Sequence, residues 1–174
     1  MELDEYIYGK FVKYFQQRKR VSTAIQNKTA YLDNLKARLT ILASTATARP
    51  IEIYPSEREG GYKNNSFFLP ASFSLFSTFE QNTWFYLYRV LYLATQQKLD
   101  YNWKHNEDAN ASLSSLKAIE TAEQVLHVLF KEYPTTKKLH DTFKLQLVAQ
   151  TKENKPTDLS WLYGKRKKND IEKQ

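Results

Sequence analysis

Residues 84 to 94 read Trp84-Phe-Tyr-Leu-Tyr-Arg-Val-Leu-Tyr-Leu-Ala94, an apolar and aromatic run with one charge, Arg89, at its middle. The run is shorter than the roughly 20 residues that span a bilayer, so it reads as the core of a soluble fold. With a cap near Ser77 or Thr78 and an end near residue 100 it becomes a helix that is apolar nearly all round. Such a helix lies in the middle of a fold. One stripe departs from this pattern, because Asn82, Phe85, Arg89, Tyr92 and Gln96 share a face and its polar members stand seven residues apart. Either Arg89 is a buried arginine satisfied by its neighbours, or Asn82, Arg89 and Gln96 line a polar groove.

Working outward, Leu3, Ile7, Phe11, Tyr14 and Phe15 recur at steps of three and four, which predicts an amphipathic helix over 3–19. Ser22 is the candidate N-cap of a second helix running to about residue 46, with Ile25, Leu32, Leu35, Leu39 and Leu42 as its seam. These two helices are expected to pack as an antiparallel pair. Arg49-Pro50 ends the second, since the residue before proline is pushed out of the α region. Beyond a polar stretch at 104–111, Leu116, Ile119, Ala122, Leu126, Leu129 and Phe130 mark a helix ending near Tyr133-Pro134. A last helix starts at Thr136 with Leu139, Phe143 and Leu147 inward.

Between the second and third helices, Ile51-Glu-Ile-Tyr54 and Ser66-Phe-Phe-Leu69 read as short strands. The segment joining them carries the adjacent glycines Gly60 and Gly61, which lack the spacing of a phosphate loop and suit a turn that needs positive φ. The expected fold is therefore mainly α: a bundle of about five helices with a small β-hairpin at about 51–69 inserted between the second and third. Residues 1–153 form the helical domain, and 154–174 read as a linker and basic tail leading to a further C-terminal domain. Within that segment Leu159-Ser-Trp-Leu-Tyr163 is a short apolar patch that docks or joins something else.

The net charge of +7 raises nucleic acid as a partner, but five Lys/Arg against two acids lie in 164–174 and the rest is spread along the helices. Arg18-Lys19-Arg20 ends the first helix, where cations oppose the macrodipole and need no ligand. With no Cys and no apolar leader the chain suits a reducing cytoplasm.

Catalytic signals are missing. His105, His127 and His140 fall in no compact metal spacing, and His127 reads as a structural histidine within a helix. There is no Cys nucleophile and no G-x-S-x-G, and Glu57 with Glu59 reads as a solvated pair flanking a turn. We therefore expect no catalytic residue, no metal site, no cofactor and no small-molecule substrate. Tyr54, Tyr62 and Trp161 lie outside the helical seams and suit a protein interface instead. The hairpin tip is expected to present Arg58, Tyr62, Lys63 and Asn65 to a partner, with Phe67 or Phe68 and Leu69 anchoring its base.

The helix beginning Leu3-Asp-Glu-Tyr6, the long second helix, the Gly-containing turn leading to Phe68-Leu69-Pro70, and Tyr88-Arg89 with Gln96 together resemble the N-terminal region of NorD-type proteins. These are von Willebrand factor A domain proteins related to the nitric oxide reductase activation protein and to CbbO. The resemblance covers most of residues 3–163 through short motifs. It implies a longer parent with a metal-binding D-x-S-x-S domain, a motif for which Asp158-Leu-Ser160 is incomplete, so the metal site is not carried over. It further implies a non-catalytic adaptor that works with a MoxR-type AAA+ ATPase in activating or remodelling a target metalloenzyme. The alternative from the charge is a basic nucleic-acid-binding helical module.

Overall fold

A computed structural model describes residues 3–21, 28–101 and 111–164 of the chain. Its first half runs α1 (Leu3–Val21), β1 (Ala30–Tyr31), α2 (Leu32–Thr47), β2 (Glu52–Ser56), β3 (Gly61–Lys63), β4 (Ser66–Pro70) and β5 (Ser72–Phe73). Its second half is helical: α3 (Phe79–Lys98), α4 (Ala111–Glu132), α5 (Thr135–Gln150) and the short α6 (Ser160–Tyr163). The fold is mainly α, with its small sheet inserted between α2 and α3 as expected.

The aromatic run sits at the centre. Every residue of α3 from 85 to 97 is buried, and α2, α4, α5 and α6 all pack against it. Its start follows the sequence closely, because Thr78 Oγ1 accepts the Gln81 N–H at 3.1 Å and so satisfies a donor that the first turn leaves open. The α2 seam is also as read, with Leu32, Leu35, Leu39 and Leu42 buried. Ile25 and the expected cap Ser22 lie outside the described residues.

Two details of this region differ from expectation. First, α2 begins at Leu32, because Ala30 and Tyr31 are extended and pair antiparallel with Phe73 and Ser72. Second, α1 turns its aromatic face to α3: Tyr8, Phe11 and Phe15 gather on the Trp84 indole at ring-centroid distances of 4.6, 5.4 and 4.9 Å. A large flat indole offers these rings more contact than the leucine seam of α2, which α3 already occupies. Between α1 and α2 there remains a groove.

The small sheet corrects the hairpin expectation. The two strands read from sequence pair in parallel, with Ile53 opposite Phe67 and Tyr54 opposite Phe68. The hairpin is instead β3 with β4, closed by Asn64-Asn65 with Asn64 at φ 52°. The strand order β2-β4-β3 makes β4 central, which gives ladder partners on both sides to a strand whose Phe67, Phe68, Leu69 and Pro70 are all buried. The Glu52 N–H donates to Asn65 O at 3.0 Å, so in the alternation of a parallel ladder Pro55 points its nitrogen away from β4.

Pairing with β4 carries Tyr62 inward. Its side chain, expected at the tip, is only 7% exposed and lies edge-on to Phe67. Tyr62→Ala should therefore lower stability by about 3 kcal/mol, the usual scale for truncating a buried aromatic. A chemical-denaturation midpoint within error of the parent would return Tyr62 to the surface.

Candidate functional site

Arg89 and the last described segment form the most unusual chemistry in the molecule. Arg89 lies in the middle of α3, where no helix packed all round can offer it water, and it is 0% exposed. Its Nη1 donates to Leu162 O at 3.0 Å and its guanidinium lies over the Tyr92 ring, 5.3 Å from the centroid. Among the described residues Nε and Nη2, and the hydroxyls of Tyr88 and Tyr92, have no hydrogen-bond partner. Burial lowers the Arg89 pKa and raises those of Tyr88 and Tyr92, while the field of Tyr88, Tyr92 and the fully buried Glu59 favours the charged guanidinium. Glu59, expected to be solvated beside Glu57, is in fact 0% exposed and accepts the Arg58 Nε–H at 3.0 Å.

Gly164 closes on this arginine, and Gly60 of the β element lies beside that glycine. Gly164 follows α6 at φ 71° and ψ −176°, a conformation nearly confined to glycine. A Cβ there would stand 2.3 Å from Arg89 Nη2 and 3.3 Å from Gly60 O. Gly60, at φ 65°, holds the loop that brings Glu59 inside. The same segment is held from outside by Arg58, which bonds Asp158 at 3.3 Å and lies over the Trp161 ring at 5.7 Å. From α5, His140 Nε2 and the Tyr163 hydroxyl are 3.1 Å apart. The apolar patch 159–163 thus docks on the body, where Leu162 and Tyr163 are buried.

The residues singled out from sequence divide accordingly. Asn82 is a buried clamp: its Oδ1 accepts the Phe76 N–H at 2.9 Å and its Nδ2 donates to Lys28 O at 2.7 Å and Phe76 O at 3.2 Å. Gln96 is buried near the end of α3. Asn82, Arg89 and Gln96 are thus buried and do not present an open polar face, and Arg89 is a buried arginine that its neighbours satisfy only in part, through Nη1. Arg58, Lys63 and Asn65 lie at or near the surface of the β element, and Gln97 Nε2 fixes the turn between them by donating to Asn64 O at 2.6 Å. His127 is exposed, and the structural histidine is His140. In the sequence Glu59 reads as a solvated turn carboxylate, His140 only as a histidine outside any metal spacing and Leu162 as part of an apolar patch, while Gly164 is passed over; the one hint is a rare glycine directly after that patch.

His140 gives the joint a pH dependence. Its Nδ1–H donates to Asp141 at 3.0 Å, so its Nε2 accepts the Tyr163 O–H, which requires the neutral ring. Burial lowers its pKa below 6.5, outweighing the opposing pull of Asp141. Below pH 6.5 the unfolded chain then binds the proton that the folded chain refuses, so the stabilisation is complete above 6.5 and is lost toward the lowered folded value. Melting temperature should fall as pH drops through this window, and His140→Gln should flatten the step. An equally steep step in that variant would assign the dependence to another group.

No family model, no curated protein and no solved structure matches this chain.

Proposed function

We propose that this chain is a non-catalytic adaptor domain of the NorD type, which works in the cytoplasm with a MoxR-type AAA+ ATPase in activating or remodelling a target metalloenzyme. One observation carries the reading: the β element, α3 and α5 all grip residues 158–164, through Arg58 to Asp158, Arg89 to Leu162 and His140 to Tyr163. Two of the motifs that carry the NorD resemblance meet at this joint, Tyr88-Arg89 at its centre and Phe68 against Gly60. Gripping the chain in this way makes residues 158–164 and the helical body one rigid unit, as an adaptor that transmits a motor's work requires. The partner surface is the exposed side of the β element, with Arg58, Lys63 and Asn65.

The test is surface-immobilised full chain against a panel of MoxR-type ATPases with a non-hydrolysable ATP analogue. We expect saturable binding at near-physiological salt that weakens about tenfold or more in Lys63→Ala/Asn65→Ala while the melting temperature is kept, a loss of about 1.4 kcal/mol or more. Binding by no member of the panel overturns the proposal. So does tight binding of RNA or DNA that survives removal of residues 165–174 at that salt, since a phosphate-driven contact falls steeply with ionic strength.

A further inference from the structure

The groove between α1 and α2 has a composition that the joint at Arg89 does not explain. It encloses about 450 Å³, and its lips are large apolar side chains left in water: Leu3 and Tyr6 from α1, Ile41 from α2. Tyr6 is 52% exposed and Ile41 69%, although each lies beside a well-buried neighbour, Ile7 or Leu42, that fills the groove floor. A contiguous apolar lip of this kind marks an interaction surface more than scattered exposure does. Among the described residues that line the groove every charge is positive, Lys10 and Lys13 on α1 and Arg38 on α2, and none is Asp or Glu.

Two of those cations are held in place. Lys10 Nζ lies 5.4 Å from the Tyr6 ring centroid and the Arg38 guanidinium 4.7 Å from that of Tyr14, both rings being part of the groove wall. Cation–π contact of this sort keeps a charge at the rim instead of free in solvent. On α1 the wall is built from Leu3, Tyr6, Lys10 and Lys13, one helical face that rises roughly 15 Å at 1.5 Å per residue. A wall of that length between two helices accommodates about three turns of a third.

We propose that the groove docks an acidic amphipathic helix of a partner protein, its apolar stripe on the Tyr6 and Ile41 lips and its Asp or Glu residues against Lys10, Lys13 and Arg38. Charge complementarity selects this occupant. The chain's own 165–174 segment, with five Lys/Arg against two acids, carries the wrong sign. Helix-in-groove recognition also needs no unpaired strand edge, which two helices do not offer. The inference rests on the groove alone and stands or falls separately from the ATPase reading.

Fluorescence anisotropy with the full chain tests it, using a labelled 16-residue probe, Leu or Ile at every third and fourth position and Glu elsewhere, about four helical turns long. Its controls are a scrambled peptide of the same composition and a version with every Glu replaced by Lys. The expected result is saturable binding of the acidic helix, at least about tenfold weaker for the scrambled peptide and absent for the Lys version. Ile41→Glu and Lys13→Glu, both at exposed positions, should each weaken binding about tenfold or more with circular dichroism and melting temperature unchanged. Equal affinity for the scrambled peptide, or full binding by both variants, overturns the proposal. Sedimentation showing a dimer of the parent that Ile41→Glu dissolves would overturn it too, by giving the groove to a second copy.

Discussion

Arg89→Ala is expected to lower the free energy of unfolding by about 4 kcal/mol, the scale of truncating a large, fully buried side chain. The residue is fully buried at the centre of α3, so the substitution removes the bond to Leu162 O, empties a side-chain volume and takes one positive charge from the field of the buried Glu59, which keeps its bond from Arg58. Against a total of about 5–15 kcal/mol for a domain, that is a large fraction. A double-mutant cycle separates the parts: Arg89→Met/Glu59→Gln, which keeps volume and removes both charges, should be more stable than the sum of the two single changes by about 1–3 kcal/mol. Strict additivity in urea unfolding would show that Arg89 and Glu59 act independently and that only packing matters at this position.

The second large effect is expected at Gly60. A Cβ added there would stand 2.0 Å from Phe68 O and 2.6 Å from Phe68 C, and neither backbone atom has room to move inside the central strand. Gly60 also holds φ 65°, where a side chain is strained. Backbone strain and overpacking together should destabilise Gly60→Ala by about 4 kcal/mol, which corresponds to a fall of roughly 10 °C in melting temperature. Gly9 is the control, since it lies in the exposed face of α1 with nothing within 4 Å of an added Cβ. Gly9→Ala should gain up to about 1 kcal/mol from helix propensity. Equal outcomes at the two glycines would refute the close approach of Gly60 to β4.

The helices were legible because each repeats its apolar signal over several turns. The run at 84–94 placed α3 in the middle, and Thr78 supplied the cap that fixes its start. β3 was not legible: three residues are too few to show a period of two, and without it Tyr62 reads as a loop aromatic and β2 as the natural hairpin partner of β4. Periodicity likewise identified Arg89 as an anomaly but not its partners. Leu162 stands 73 residues away, and its role depends on a backbone carbonyl, which carries no mark in the sequence. Asn82 shows the same gap, since two of the groups it clamps are main-chain atoms of Phe76 and the third is the carbonyl of Lys28.

Pro55 has a consequence for how molecules of this chain behave at high concentration. β2 is an outer strand, and an outer strand normally offers a row of open N–H and C=O groups that a second chain can zip onto. The position where Pro55 sits is one whose nitrogen faces outward, so the proline sacrifices no bond to β4 and removes a donor that an intruding strand would need. An intruding strand on that side finds one donor fewer beside β4, among the most apolar segments of the protein, so a single ring makes edge-to-edge pairing along β2 less favourable.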